Sequence, residues 1–309
     1  MNVGLRKKNS LLSHLKQYYP LYLFLIPGLV HLFIFRYRPM GGLVIVFQNF
    51  SVTRGFANSP WVGFANFQHL FSSIAFLRVL RNSLTNSILL LVWAFPVPII
   101  LSIMLNEMRR QTYKRVLQTV LYLPHFISWV VVISMTAGFL GMSAGSIVND
   151  LIVRAGGERI SFLTEPRYFR PILVGSSIWR GAGWGTIVYL AALAGVDPEL
   201  YEAALVDGAN RLQRIWYITL PTIASVIVVI LILNLGNLMS NSFEHIWLLQ
   251  NNLNRNVSET LETYSYQVGL RENRFSFAAA VGMFQSVVEC GLIFTANYLA
   301  RKIRGQGLW

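Results

Sequence analysis

The chain has one cysteine, Cys290, so no disulfide can form within it, and thiol usage says nothing about the redox compartment. Charge is scarce: 13% of the 309 residues are charged against 54% hydrophobic, too apolar for an ordinary soluble domain. Acidic residues are half as common as basic ones, 13 against 26, giving a net charge of +13. There is no Gly-x-x-x-x-Gly-Lys-Ser/Thr loop, so any nucleoside triphosphate must be held by another chain. His-Glu-x-x-His and Gly-x-Ser-x-Gly are also absent, which removes the common zinc-peptidase and serine-hydrolase constellations. The five histidines, His14, His31, His69, His125 and His245, are scattered without metal-ligand spacing and read as packing or interface residues. No basic soluble domain supports a nucleic-acid partner, and no internal repeat marks a solenoid or propeller.

Long apolar runs are present instead. About 20 such residues suffice to cross the hydrocarbon of a bilayer. Residues 84–105 and 215–243 carry no charge, and 116–141 has only His125 as a titratable group of interest. Residues 171–196 carry one arginine and 275–300 one glutamate, while 20–35 is shorter and extends to Phe47 if tilted. The reading is an all-α integral membrane protein with about six spans. Pro27, Pro96, Pro98, Pro124 and Pro221 lie inside them, which implies a packed bundle whose neighbours cover the freed carbonyls.

The basic lead-in "RKKN" before an apolar run resembles a signal peptide, but "RYRPMGGL" offers no small-x-small cleavage site, so an uncleaved anchor is expected. An even number of spans and a basic start put both termini in the cytoplasm. Half of the 26 basic residues fall inside, a tie, but all five lysines are among them and the inner segments are the shorter ones. The expected divisions are a basic segment 1–19, a first span with an external interfacial segment 20–81, a core 82–300 with the five other spans, and a tail 301–309.

Between the apolar runs lies "DPELYEAALVDGANRLQRIWYITLP", residues 197–221. Asp197, Pro198 and Glu199 make a strong helix start: a capping acceptor, a proline at the first position, and negative charge at the positive dipole end. Gly208 stops that helix, and Leu212, Ile215 and Trp216 at helical spacing predict a second short one. A plain connection needs two to eight residues, so this one is built to be rigid and to dock. With Glu202, Ala203, Ala204, Gly208, Ile218, Leu220 and Pro221 at fixed offsets, the stretch resembles the E-A-A…G…I-x-L-P loop of binding-protein-dependent ABC importer permeases. The likeness covers about 82–300, including "YLP" in the third span, with "GFANF" before the second. "LNEMRRQTYKRVLQTVLYLPHFISWVV" is most similar to permeases of complex oligo- and polysaccharide importers, alginate-type ones among them.

The resemblance implies a type I importer permease fold in the cytoplasmic membrane of a bacterium. It also implies a homologous second permease forming a heterodimer, an external sugar-binding protein, and two ATPase subunits that use ATP and Mg; this chain binds no cofactor and is not an enzyme. Residues 197–221 would be the coupling loop: short side chains at Ala203 and Ala204 admit a second surface, Glu202 and Asp207 can meet basic groups, and Gly208 lets the chain turn. The alternative is an interface helix packing on its own inner loops.

A sugar path needs amides, carboxylates and flat rings. Asn234, Asn237 and Asn241 recur at intervals of three and four, with Ser240 and Glu244 beside them, so one helix face is expected to carry three amides. Interhelical hydrogen bonding would use the same residues. Alignment through the coupling loop puts Asn234, Asn241, Ser177, Gly181 and Trp184 at positions resembling the sugar-contacting ones of the maltose-type permease. Arg180 could meet a carboxylate of an acidic glycan, snorkel to headgroups, or pair structurally, whereas Glu289 is expected to pair inside the bundle. The function read is a subunit of an ATP-driven importer of an oligo- or polysaccharide, with acidic glycans among the candidates. An ion-coupled carrier is the alternative, and it would want paired intramembrane acids.

Overall fold

A computed structural model describes residues 11–240, 242–304 and 307, and it divides into two units, 1–66 and 67–309. In the first unit, Leu11–Leu32 continues through a wide turn at Phe33–Tyr37 into tighter helix at Gly41–Phe47, making one apolar stretch, Gln17–Phe47. It ends where Gln48 bridges Trp61, with the Asn66 amide donating to the Val46 and Gln48 carbonyls.

Among the described residues of the second unit, three helical stretches are long and apolar enough to cross a membrane: Ile74–Asn106, Arg211–Gly236 and Phe275–Lys302. Gln111–Phe126 and Trp129–Leu140 form a further span only as a pair bent by 100°. The run at 116–141 is therefore not straight. Pro124 lies in a tight turn, Leu123–Phe126, and the chain restarts at Ser128, whose hydroxyl caps the Val131 N–H. Residues 84–105 likewise break at Ala94, just before Pro96 and Pro98.

The run at 171–196 forms a 28-residue helix, Pro166–Leu193, about 42 Å long at 1.5 Å per residue. It has the length of a span but not the apolarity of the others. The reason is its place: it is the central helix, packed against Ile74–Trp93, Pro96–Asn106, Gln111–Tyr122, Leu220–Gly236 and Phe243–Leu249. A helix sheathed by protein can carry serine and glycine where a lipid-facing one cannot, and its small residues admit close neighbours. Gly183 lies against the Leu121 carbonyl and Gly185 against the Pro98 ring.

The span beginning at Arg211 includes a wide π turn, Ile215–Thr219, in which the Leu220 N–H reaches the Ile215 carbonyl. That turn sits just ahead of Pro221, whose ring would otherwise crowd the preceding turn. The helix then stops at Gly236. Residues 237–240 form turns, and a new short helix begins at Phe243. Apolar side chains on the bundle's outside, such as Val287 (63% exposed) and Phe294 (61%), are what lipid would cover. At the end where the central helix starts, the segment 141–165 is pinned by the fully buried Asn149, whose amide donates to the Gly141 and Ile160 carbonyls. Beside it, the hydrogen bond from Arg159 holds the half-buried Asp150 carboxyl below its ordinary range.

Candidate substrate path and coupling site

A cavity of about 660 Å³ lies between the central helix and its neighbours. Ser177, Gly181 and Trp184 from the central helix and Asn234 from Leu220–Gly236 all line it, so four of the expected path residues come together. The indole of Trp184 stacks flat on His125, with centroids 4.5 Å apart and planes within 4°. That makes a broad ring surface at the wall. Hydroxyls and amides surround it: Ser83, Asn86, Ser87, Ser242 and Thr260, with the carboxyl of Glu262. Such a mixture of hydrogen-bonding groups and one aromatic plate suits a polyhydroxylated ligand.

Other expected path residues lie elsewhere. The three-amide face does not exist, because the helix ends at Gly236 and Asn237 is its exposed C-cap. The Asn234 and Asn237 amides each donate back to their own helix, to Ile230 (2.8 Å) and Leu233 (3.1 Å). Asn241 lies outside the described residues. Ser240 donates to Glu289 Oε1 at 2.7 Å, and Glu244 is exposed on its short helix. Glu289 thus pairs within the bundle, as its mid-span place suggested.

Arg180 faces the bend instead of the cavity. Its Nε donates to the Ile127 carbonyl at 2.9 Å, and its guanidinium sits 4.5 Å over Trp129. Trp129 in turn stacks 3.8 Å from the buried His245, which Ser176 and Ser177 hold at its two ring nitrogens. This layered arrangement satisfies a carbonyl that the 100° bend leaves without a helical partner. Replacing Arg180 by Ala should cost about 2 kcal/mol or more, from a charge-assisted bond and a cation–π contact. The expected result is a lower melting temperature of the purified protein; an unchanged one would mean that the bend is held by other contacts.

At the far end of the central helix the coupling-loop residues form a compact elbow. Asp197 accepts from the Glu199 N–H at 3.0 Å and caps Pro198–Val206. Gly208, at φ +76°, closes that helix: its N–H meets the Leu205 carbonyl and the Ala209 N–H the Ala204 carbonyl. Asn210 and Gln213 then cap Arg211–Arg214 reciprocally. Tyr201 packs with Ile218 on the cluster of Leu193, Val196 and Ile223, and its hydroxyl lies 3.0 Å from that of Thr219. Arg211 pairs with Glu107 at 3.0 Å. The elbow is therefore tied to three helices of the bundle. Its tip is uncovered: Glu202, Ala203, Asp207 and Gly208 are exposed, Ala204 half-buried, and Val206 is 88% exposed.

Sequence reasoning missed Ser83, Asn86, His125, Thr260 and Glu262 as cavity residues. The spacing of Asn82, Ser83 and Asn86 in an apolar helix was the available signal, since all three are buried. A membrane helix bundle with an interior polar cavity and a rigid, uncovered elbow defines a multi-pass transport permease. The chain belongs to the family described as binding-protein-dependent transport system inner membrane component, whose pattern it matches over residues 94–305. It is 48% identical to Protein LplB of Bacillus subtilis (strain 168) over 97% of this chain and 94% of that protein. It is 45% identical to the polygalacturonan/rhamnogalacturonan transport system permease protein YteP of the same organism, over 98% and 94%. A chain of a bacterial ABC transporter involved in the import of the acidic polysaccharide alginate superposes with a TM-score of 0.88 at 41% identity, covering 95% of this chain and 99% of that one. A second alginate transporter structure, in complex with an alginate pentasaccharide-bound periplasmic protein, gives 0.89 at 40% identity over 97% and 100%. The fold is the type I ABC importer permease fold, and carbohydrate permeases are the relatives among which the chain stands.

Proposed function

We propose that this chain is one permease of a heterodimer in an ATP-driven importer that accepts an acidic oligosaccharide from an external binding protein. The uncovered elbow at 197–214 carries the reading. A doubly capped, rigid unit whose tip exposes Leu205 and Val206 to solvent needs a partner surface, and alanines at 203 and 204 let one approach. Two ATPases using ATP and Mg are that partner in the proposal, one of them seated here. This elbow end then faces the cytoplasm, as do both termini of a chain in the cytoplasmic membrane. Closure of the ATPases pushes the elbow as a lever. The cluster of Leu193, Val196, Ile223 and Tyr201 passes the displacement into the two helices that carry Trp184 and Asn234 on the cavity wall. Saccharide hydroxyls pair with Ser87, Asn234 and Ser242, and a sugar ring stacks on Trp184. The acidic class of substrate is favoured by the printed names of YteP and of the two alginate importers.

The test is reconstitution with both ATPases, the second permease and the binding protein. Replacing Ala203 and Val206 by arginine should strip the ATPases from the purified complex and abolish uptake, while the two permeases still co-purify. Glu262 on the cavity wall and Glu289 inside the bundle are the acids that an ion-coupled carrier would use. Uptake that persists without the ATPases and collapses with the proton gradient would establish that carrier instead.

A further inference from the structure

A second, smaller cavity of about 510 Å³ lies at the opposite end of the bundle from the elbow. Arg170, at the start of the central helix, is 23 residues from its end at Leu193, about 35 Å along the axis. Arg78 and Arg81, from the first turns of Ile74–Trp93, line the same cavity, together with Asn82 and Asn256. Charge there is unbalanced. Glu259, 1% exposed, is the carboxylate that pairs with Arg78 (2.8 Å), and it also holds Arg255. Arg81 has no ion pair or hydrogen bond among the described residues.

Buried amides build this cluster. Arg170 donates through Nε to Asn86 Oδ1 at 3.2 Å, which leaves its two terminal nitrogens as a fork. Asn86, 1% exposed, is itself anchored to the Val257 carbonyl, and Asn82, 3% exposed, to the Asn256 and Glu259 carbonyls. Asn86 also lines the large cavity. A single buried residue therefore joins the arginine cluster to the path on which the saccharide would travel.

We propose that Arg78, Arg81 and Arg170 form an outer-mouth site that binds the carboxylate groups of an acidic saccharide and passes it to the inner cavity. The proposal rests on the importer reading above and deepens it. Planar guanidinium forks match carboxylates in pairs, and a like-charged cluster is stabilised by an anion that bridges it. The large cavity has no arginine or lysine on its wall and carries Glu262. A carboxylate is therefore attracted at the mouth and not trapped within, which is the condition for passage in place of storage. Continuity through Asn86 favours a travelling saccharide over an acidic side chain of the binding protein or a lipid phosphate.

The experiment uses the complete importer in vesicles of neutral lipid, with trigalacturonate and its carboxyl-reduced analogue as probes. The purified importer without binding protein is also titrated with each probe. For Arg81→Ala with Arg170→Gln, affinity and initial uptake of trigalacturonate should fall at least about tenfold, while those of the reduced analogue change less than twofold. Arg81→Lys should lose part of the effect, since it keeps charge but not the fork. Equal losses for both probes, an unchanged affinity, or weakened capture of the unliganded binding protein would overturn the proposal, the last assigning the arginines to docking. A defect seen only when acidic lipid is added would assign them to headgroups, and so overturn it too. If the wild-type complex imports neither probe, the importer reading fails, while the titration still decides the arginine site.

Discussion

A single methyl group added at Gly183 is expected to disrupt the bundle, whereas the same change at Gly282 is expected to be nearly silent. A Cβ on Gly183 would lie 1.9 Å from the Leu121 carbonyl oxygen and 2.4 Å from its carbon. Both are backbone atoms of the helix Gln111–Tyr122, just ahead of the 100° bend. Backbone cannot rotate aside, so the central helix and the bent span must separate along their contact. Overpacking of this kind costs about 1–3 kcal/mol or more. At Gly282, inside the helix Phe275–Arg304, a new Cβ would meet nothing within 4 Å. Replacing a glycine inside a helix by alanine gains about 1 kcal/mol of helix propensity, with no clash to set against it there. Gly183→Ala should therefore lower the melting temperature of the purified permease pair, or prevent its recovery as a single species, while Gly282→Ala melts within a few degrees of the parent. Equal melting temperatures for the two variants would mean that the helices are not held at this distance.

The elbow and the membrane breaks differ in how far the chain announces them. Asp197, Pro198 and Gly208 act on their own neighbours, and the helix Pro198–Val206 begins and ends where those residues place it. The position of each apolar run was likewise visible in hydropathy. The interruptions inside the runs were not. Whether residues 116–141 run straight or bend depends on whether the Ile127 carbonyl finds a donor, and Arg180, 53 residues away, supplies it. The run 215–243 looked continuous because its periodicity persists through Asn241, yet its helix ends at Gly236 and the Met239 N–H beyond it is met by Glu289. Cavity residues divide along the same line. Trp184 and Asn234 were reached through the resemblance to the maltose-type permease, aligned at the coupling loop. His125 and Thr260 come to the wall through packing alone, which no local pattern encodes.

Glu289→Leu should be the most damaging change in the helix Phe275–Arg304. Past Gly236 the chain leaves the helix for turns over 237–240; the Asn237, Leu238 and Ser240 N–H groups meet backbone carbonyls there, while the buried Met239 N–H and the Ser240 hydroxyl are donors left to other partners. The Glu289 carboxylate takes both on one oxygen: the Met239 N–H at 3.1 Å and the Ser240 hydroxyl at 2.7 Å. Gln285 adds a donor to the Ser240 oxygen at 2.8 Å. Bonds to a charged acceptor are worth about 1.5–3 kcal/mol each, and a buried donor left alone costs about 1–3 kcal/mol. Leucine removes both bonds and offers nothing in return, so a loss of about 3 kcal/mol or more is expected, read as a lower melting temperature of the permease pair. Glutamine keeps an acceptor oxygen at the same reach and should restore roughly half of that loss. Function should follow, because Leu238, Met239 and Ser242 within the break form cavity wall beside Asn234. Uptake by the reconstituted complex should fall steeply for leucine and recover in part for glutamine, with ATPase attachment at the distant elbow unchanged in both. If leucine at 289 leaves melting and uptake at the parent level, the break is held by something other than this carboxylate.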